Sequence, residues 1–153
     1  MKTAYINKIA EVKLVYKTKI KASERMQIKS STEAFKLFND TWDPDSLEYV
    51  EEFKILLLNR ANAVLGLLPL SKGGISGTVT DLRVLFQAAI KANASGIVAA
   101  HNHPSGNLNP SESDLKLTRK IKEAGTMLDI QLLDHLILTA DGSYYSFADN
   151  GNL

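Results

Sequence analysis

Apolar and polar positions alternate with a period of two along AEVKLVYKTKI (residues 10–20), where Val12, Leu14 and Tyr16 are set against Lys13, Val15 and Lys17. That pattern predicts a strand with one wet face. SERMQIKSS (residues 23–31) is polar and reads as a loop. Ser30 and Glu33 have the spacing of a capping box, and a short helix follows with Ala34, Phe35, Leu37 and Phe38 on one side, broken by DPDS at Asp43–Ser46. EEFKILLLN then reads as a strand, RAN as its turn and AVLGLLPLS as the returning hairpin partner. After the loop KGGISG, Thr80 and Asp81 are placed to cap a helix whose apolar positions are Leu82, Leu85, Phe86, Ala89 and Ile90. SGIVAA is short and apolar enough to be a central strand. A further helix starts at Ser111, turns Leu115, Leu117 and Ile121 inward, and ends at Gly125. Two or three short strands close the chain, with a hairpin turn at Asp141-Gly142.

The order β, α, β, β, α, β, α, β, β describes a mixed α/β (α+β) domain, a sheet flanked by helices. Residues 1–45 form a strand and a helix packed on a main domain of residues 46–153. At 153 residues, 44% hydrophobic and 23% charged, the chain is an ordinary globular domain with enough length for a core. Its net charge of +1 provides no global field for nucleic acid or acidic lipid. The absence of cysteine excludes disulfides and thiolate-held zinc, so any metal site must use His, Asp and Glu. The N-terminal stretch lacks the apolar core of a signal peptide, and no apolar run approaches a membrane span. A cytoplasmic location is the simplest expectation.

Two of the three histidines, separated by a single residue, lie in HNHPSGNLNPSESD (residues 101–114). Residues two apart on extended backbone point the same way, and Pro104 keeps His103 extended, so His101 and His103 can aim at one point. Ser111 is placed as a helix N-cap, and Asp114, in the first helical turn, can fold back toward the strand end. Two imidazoles and one carboxylate are the ligand set of a catalytic zinc site with a position left for water. The plainer alternative is a Ser-x-x-Asp capping pair beside two solvated loop histidines. His-x-His hydrolases of the barrel and metallo-β-lactamase types need more histidines than this chain has. The letters HNH match a nuclease name only in spelling, because that family's histidines lie well apart.

The spacing His-x-His, seven residues, Ser, two residues, Asp resembles the JAMM motif of JAB/MPN metalloproteases, with His101, His103, Ser111 and Asp114 on it. EEFKILLLNRANAVLG, HNHPSGN, IKEAG, LDIQLLDHLIL and YYSFAD are similar to the RadC-type branch, over about Glu48 to Asp149. The resemblance implies the cytidine-deaminase-like JAB/MPN sheet, a zinc ion, and a glutamate from an earlier strand. Glu48, Glu51 and Glu52 are the candidates. On a strand beginning near Val50, Glu51 shares a face with Phe53, Ile55 and Leu57, while Glu52 joins Lys54 toward solvent. Glu51 also matches the family's Glu-x-Phe position and is the expected proton acceptor.

The resemblance further implies hydrolysis of a peptide or isopeptide bond, with Glu51 as acid/base and Ser111 donating to the oxyanion. His135, inside LLDHLIL, reads as a satisfied core histidine; Asp134 is placed to orient a neighbour, and Trp42 to anchor the core. The expected partner is an unidentified protein or peptide substrate. DNA is an alternative partner, through the DNA-repair label of RadC-like proteins. However, longer RadC proteins carry an N-terminal helix-hairpin-helix region that is not found here, and KLVYKTKIKASER and KLTRKIK read as solvated faces. A third reading is a metal-stabilised scaffold with an idle site. The loop SKGGISGTVT is the expected place for substrate contact, and an exposed N-terminal edge strand is a possible route to a homodimer.

Overall fold

The computed structural model describes residues 8–13, 15–73 and 79–153. Leu14 and most of the glycine-rich loop lie outside the described residues. Five strands form one sheet, ordered β2-β1-β3-β4-β5: β1 (Glu52–Leu58), β2 (Val64–Lys72), β3 (Gly96–Asn102), β4 (Gln131–Leu138) and β5 (Tyr144–Ser146). Three α-helices accompany it: α1 (Ser31–Thr41), α2 (Leu82–Lys91) and α3 (Glu112–Met127). Only the β3–β4 pair is parallel, its strands linked through α3; β1 runs antiparallel to both β2 and β3, and β5 antiparallel to β4. The protein is the mixed α/β layer structure that the alternating pattern implies.

Both faces of the sheet are covered. Phe53, Ile55 and Leu57 of β1 and Ile97 and Ala99 of β3 pack with Leu85, Phe86 and Ala89 of α2 and Ile121 of α3. Leu56, Leu58, Val98, Ala100, Leu136 and Leu138 point the other way, onto Ala34 and Phe38 of α1 and Trp42 just beyond it. Every residue of β1 and β3 is consequently buried.

This two-sided burial overturns the expectation that Glu52 and Lys54 face solvent. Both are 8% exposed. Lys54 Nζ lies 4.2 Å from the centre of the Trp42 ring and 3.5 Å from Glu52, and Lys72 approaches Glu52 from the other side at 3.2 Å. The lysine's apolar stem is covered by the α1 layer and its charge is paired, the condition under which a lysine can be buried.

The N-terminal strand is a second correction. No strand occurs among the described residues 8–20; Ala22–Glu24 form a single 3₁₀ turn. Val12 is 84% exposed and Ile20 56%, so the alternation has no apolar face to bury against, and pairing alone does not order it. Among the described residues, the hydrogen bonds that tie this segment to the β1–β2 hairpin are Tyr16 Oη donating to Leu65 O, Val64 N donating to Met26 O, Ile28 N donating to Asn62 O and Gln27 Nε2 donating to Ala61 O, with an isolated bridge between Gln27 and Ala63. The edge strand expected to support a homodimer is therefore not formed there.

Helix α1 begins at Ser30, whose Oγ accepts from Glu33 N. The Glu33 carboxylate reaches past it to Lys29 N, so the reciprocal half of the capping box is displaced by one residue. Gly125 does not end α3, which continues to Met127. The chain reverses instead through Asp129, at φ 55°. Gly125 is required there by proximity: a Cβ at that position would lie 2.2 Å from Ile130 O. The Asp141-Gly142 turn forms as expected, with Gly142 at φ 82°.

Candidate metal centre

Three elements converge at the end of β3. His101 is the penultimate residue of that strand, opposite Phe53 of β1, and its ring stacks parallel to the Phe53 ring at 5.9 Å. His103 follows one residue beyond the strand, still tethered by its N–H to Leu138 O. His103 O accepts from Gly106 N, closing a tight turn that needs Gly106 at φ 81°. The loop then returns far enough for Asn107 O to accept from His103 Nδ1 at 2.5 Å. Pro110 leads into α3, where Ser111 Oγ accepts from Asp114 N at 3.0 Å and Asp114 Oδ2 accepts from Ser111 N at 2.8 Å. Capping and site-building are thus not alternatives. The same Asp114 carboxylate lies 3.2 Å from His103 Nε2 and 3.3 Å from His101 Nε2.

Glu51, immediately before β1, brings Oε1 to 3.9 Å from His101 Nε2. Ligand atoms of Glu51, His101, His103 and Asp114 all lie within 4.8 Å of one another. Ser111 lines the same cleft, of about 800 Å³, as do Val79 and Thr80, the last two residues of SKGGISGTVT. Of the other carboxylates considered, Glu48 is exposed, and Glu52 is committed to its lysines on the opposite face.

The donor set fits a cation. A carbonyl oxygen only accepts, so the proton between His103 and Asn107 O belongs to Nδ1, and Nε2 of the neutral ring is a bare lone pair. That lone pair faces His101 Nε2 at 3.1 Å beside a carboxylate. Without a metal, only a proton can relieve the crowding. Burial lowers the affinity of His103 for a proton, but the Asp114 carboxylate and the Asn107 carbonyl more than offset it and raise its pKa above the ordinary imidazole value. Burial likewise raises the Asp114 carboxyl, yet contact with the His101 and His103 imidazoles outweighs it, holding the group well below the usual carboxylate range.

Two residues give the site its support. Asn102 points to the opposite face from His101 and is wholly buried. Its Nδ2 donates to Leu47 O and Val50 O, and its Oδ1 accepts from Glu52 N. It fastens the segment that presents Glu51 to the strand that presents His101. Nothing in the linear pattern singles it out except its place inside His-x-His. His135 is a buried core histidine, as the apolar strand around it implies, but its ring contacts His101 Nδ1 at 2.7 Å and Thr118 Oγ1 at 2.7 Å. Burial, reinforced by the neighbouring His101, pushes its pKa well below the ordinary value, so the ring is neutral. Asp134 orients a neighbour as expected: it accepts from Ser146 Oγ, Ala148 N and His135 N, binding the C-terminal turn to β4.

Residues 28–152 match the RadC-like JAB domain family, and the chain belongs to that family. Similar relatives are each named "UPF0758 protein". That of Flavobacterium johnsoniae is 52% identical over 101 residues, covering 66% of this chain and 44% of the relative. That of Porphyromonas gingivalis is 47% identical over 103 residues, covering 67% and 45%. That of Geotalea uraniireducens is 36% identical over 122 residues, covering 80% and 52%. The chain spans about half the length of the curated relatives it matches. Among the described residues, no helix is long and apolar enough to cross a membrane.

Proposed function

We propose that this domain is a zinc-dependent hydrolase of JAMM type that cleaves an amide bond, peptide or isopeptide, in a protein or peptide substrate. The observation that carries this reading is the convergence of Glu51, His101, His103 and Asp114 within 4.8 Å at the floor of an open cleft. Two neutral imidazoles and a carboxylate are a borderline-soft N/O set suited to zinc, and His101, His103 and Asp114 would hold the ion. When bound there, zinc supplies Lewis acidity, which makes water a competent nucleophile near neutral pH.

The remaining chemistry belongs to the chain. Glu51 sits at the rim of the group, its side chain 16% exposed, and accepts the proton of the attacking water. Once the water oxygen has bonded to the carbonyl carbon, the same carboxyl returns that proton to the amine as the C–N bond breaks. Ser111 Oγ is occupied as an acceptor by Asp114 N, which leaves its hydroxyl proton free to donate to the oxyanion. Phe53 backs the His101 ring where both line the cleft.

The test uses zinc-reconstituted protein with a fluorogenic peptide pool and an isopeptide-linked pool. Glu51→Gln is expected to keep its zinc and lose about 100-fold or more of the hydrolysis rate. A Glu51→Gln protein that cleaves as fast as wild type would refute the mechanism.

A further inference from the structure

The His101 contact with His135 belongs to a longer chain of hydrogen bonds whose direction can be read from its far end. Thr118, four residues beyond Asp114 on α3, lies 2.7 Å from Asp114 O. A carbonyl has no proton to offer, so the Thr118 hydroxyl must donate there. Its oxygen is then the acceptor for His135 Nδ1, also at 2.7 Å. A neutral imidazole protonated at Nδ1 is bare at Nε2, and His135 Nε2 faces His101 Nδ1 at 2.7 Å. His101 must supply that proton. Its own Nε2 is thereby left as a lone pair, aimed at His103 Nε2 and Asp114 Oδ1.

We propose that Thr118 and His135 are positioning residues that lock His101 in its Nδ1–H tautomer through the ordered chain His101→His135→Thr118→Asp114 carbonyl. This rests on the zinc reading above for its purpose, though not for its geometry. The chain is internal, since His135 is fully buried and Thr118 is 2% exposed, so water cannot reverse its direction. It also ends on the residue that supplies the carboxylate of the site, so one path orients a histidine from β3 and ties it to the helix bearing its companion. Phe147 stacks on His135 at 4.5 Å and fixes the plane of the ring. Partners of this kind typically set ligand affinity by about 10–100-fold, because a ring in the wrong tautomer offers a proton instead of a lone pair.

The direct test is a long-range ¹H–¹⁵N correlation spectrum of metal-free protein, recorded above the range in which His103 binds a proton. His101 and His135 are both expected to carry their proton on Nδ1, the reverse of the preference of a free histidine side chain. A metal-free His101 protonated on Nε2 would overturn the proposal. Thr118→Val, a change of equal volume two hydrogen bonds from the site, is expected to move the His101 proton to Nε2. The same variant should weaken zinc binding, measured against a chromophoric chelator, by about 10–100-fold, with Thr118→Ser restoring both. Should Thr118→Val not fold, His135→Gln, which retains an acceptor toward His101, should bind zinc more tightly than His135→Leu. Equal affinities in that pair would count against the chain. Wild-type protein that takes up no zinc yet holds His101 as Nδ1–H defeats the hydrolase reading and upholds this one; zinc uptake with His101 as Nε2–H does the opposite.

Discussion

Asn102 and Glu51 are held together through the peptides on either side of the glutamate. Asn102 Nδ2 donates to Val50 O at 2.9 Å, and Asn102 Oδ1 accepts from Glu52 N at 2.7 Å. The acid/base candidate and the histidine strand are therefore tied together, although Glu51 precedes β1 and its carbonyl accepts from Gly73 N beyond the end of β2. Asn102→Ala should orphan a buried N–H and two carbonyls, at a cost of about 1–3 kcal/mol for each group left without a partner. Hydrolysis should fall further than zinc affinity, since the ligands on β3 and α3 are untouched. Hydrolysis assays beside a zinc titration separate the two effects, with denaturant unfolding reading the cost in stability, and an equal loss of rate and of zinc affinity would argue against a specific link to Glu51.

Ser111 is asked to serve as both helix cap and oxyanion donor. Ser111→Ala should cost about 1 kcal/mol of stability through the lost cap. It should also cost about 10²–10³ in kcat if the hydroxyl stabilises the oxyanion. Ser111→Asp keeps a capping acceptor and removes the hydroxyl proton, so it should recover stability without recovering rate. Recovery of the rate by Ser111→Asp would reduce Ser111 to a cap.

Asp134 gives a pH dependence whose sign follows from its surroundings. Burial raises its pKa, and hydrogen bonds from Ser146, Ala148 and His135 offset this only in part. The folded protein therefore binds this proton more readily than the unfolded chain. The contribution to stability is complete below the ordinary carboxylate range and is lost as pH rises through the folded pKa. Asp134→Asn removes the proton exchange, so the stability of wild type minus that of Asp134→Asn should fall as pH rises from about 4 to about 7. Urea unfolding of metal-free protein across that range measures the difference. A difference that is flat, or that grows with pH, would contradict the assignment.

Gly125 tests the close approach of α3 to the start of β4. Gly125→Ala places a methyl group 2.2 Å from the Ile130 carbonyl oxygen, so backbone must shift, and should destabilise by about 1–3 kcal/mol. A thermal midpoint unchanged from wild type would show that the turn has slack.

Much of this architecture is legible in the linear pattern because its elements bury continuous apolar faces. The order of strands and helices from Glu52 onward, the caps at Ser30, Asp81 and Ser111, and the Asp141-Gly142 turn all rest on local chemistry. The differences have one physical root: what a side chain packs against in three dimensions is not carried by the local pattern of apolar and polar positions. Residues 10–20 alternate like a strand, but the described apolar side chains among them, Val12, Val15, Tyr16 and Ile20, stay exposed. Lys54 looks like a surface residue until Trp42 covers it. Gly125 looks like a helix stop, whereas its role is to admit Ile130 O. At the site, spacing brings His101, His103 and Asp114 together because a strand end, a short loop and a first helical turn suffice. Asn102 and His135 act across 50 and 34 residues of sequence, and no local pattern announces either.

The central claim is that one ion sits among His101, His103 and Asp114. A crystal of zinc-reconstituted protein, with anomalous data collected on both sides of the zinc absorption edge, tests it most directly. The expected result is a single full-strength peak bonded to His101 Nε2, His103 Nε2 and the Asp114 carboxylate, with Glu51 outside the bonding sphere. An empty site in protein exposed to stoichiometric zinc, or a peak held by other residues, would contradict the account.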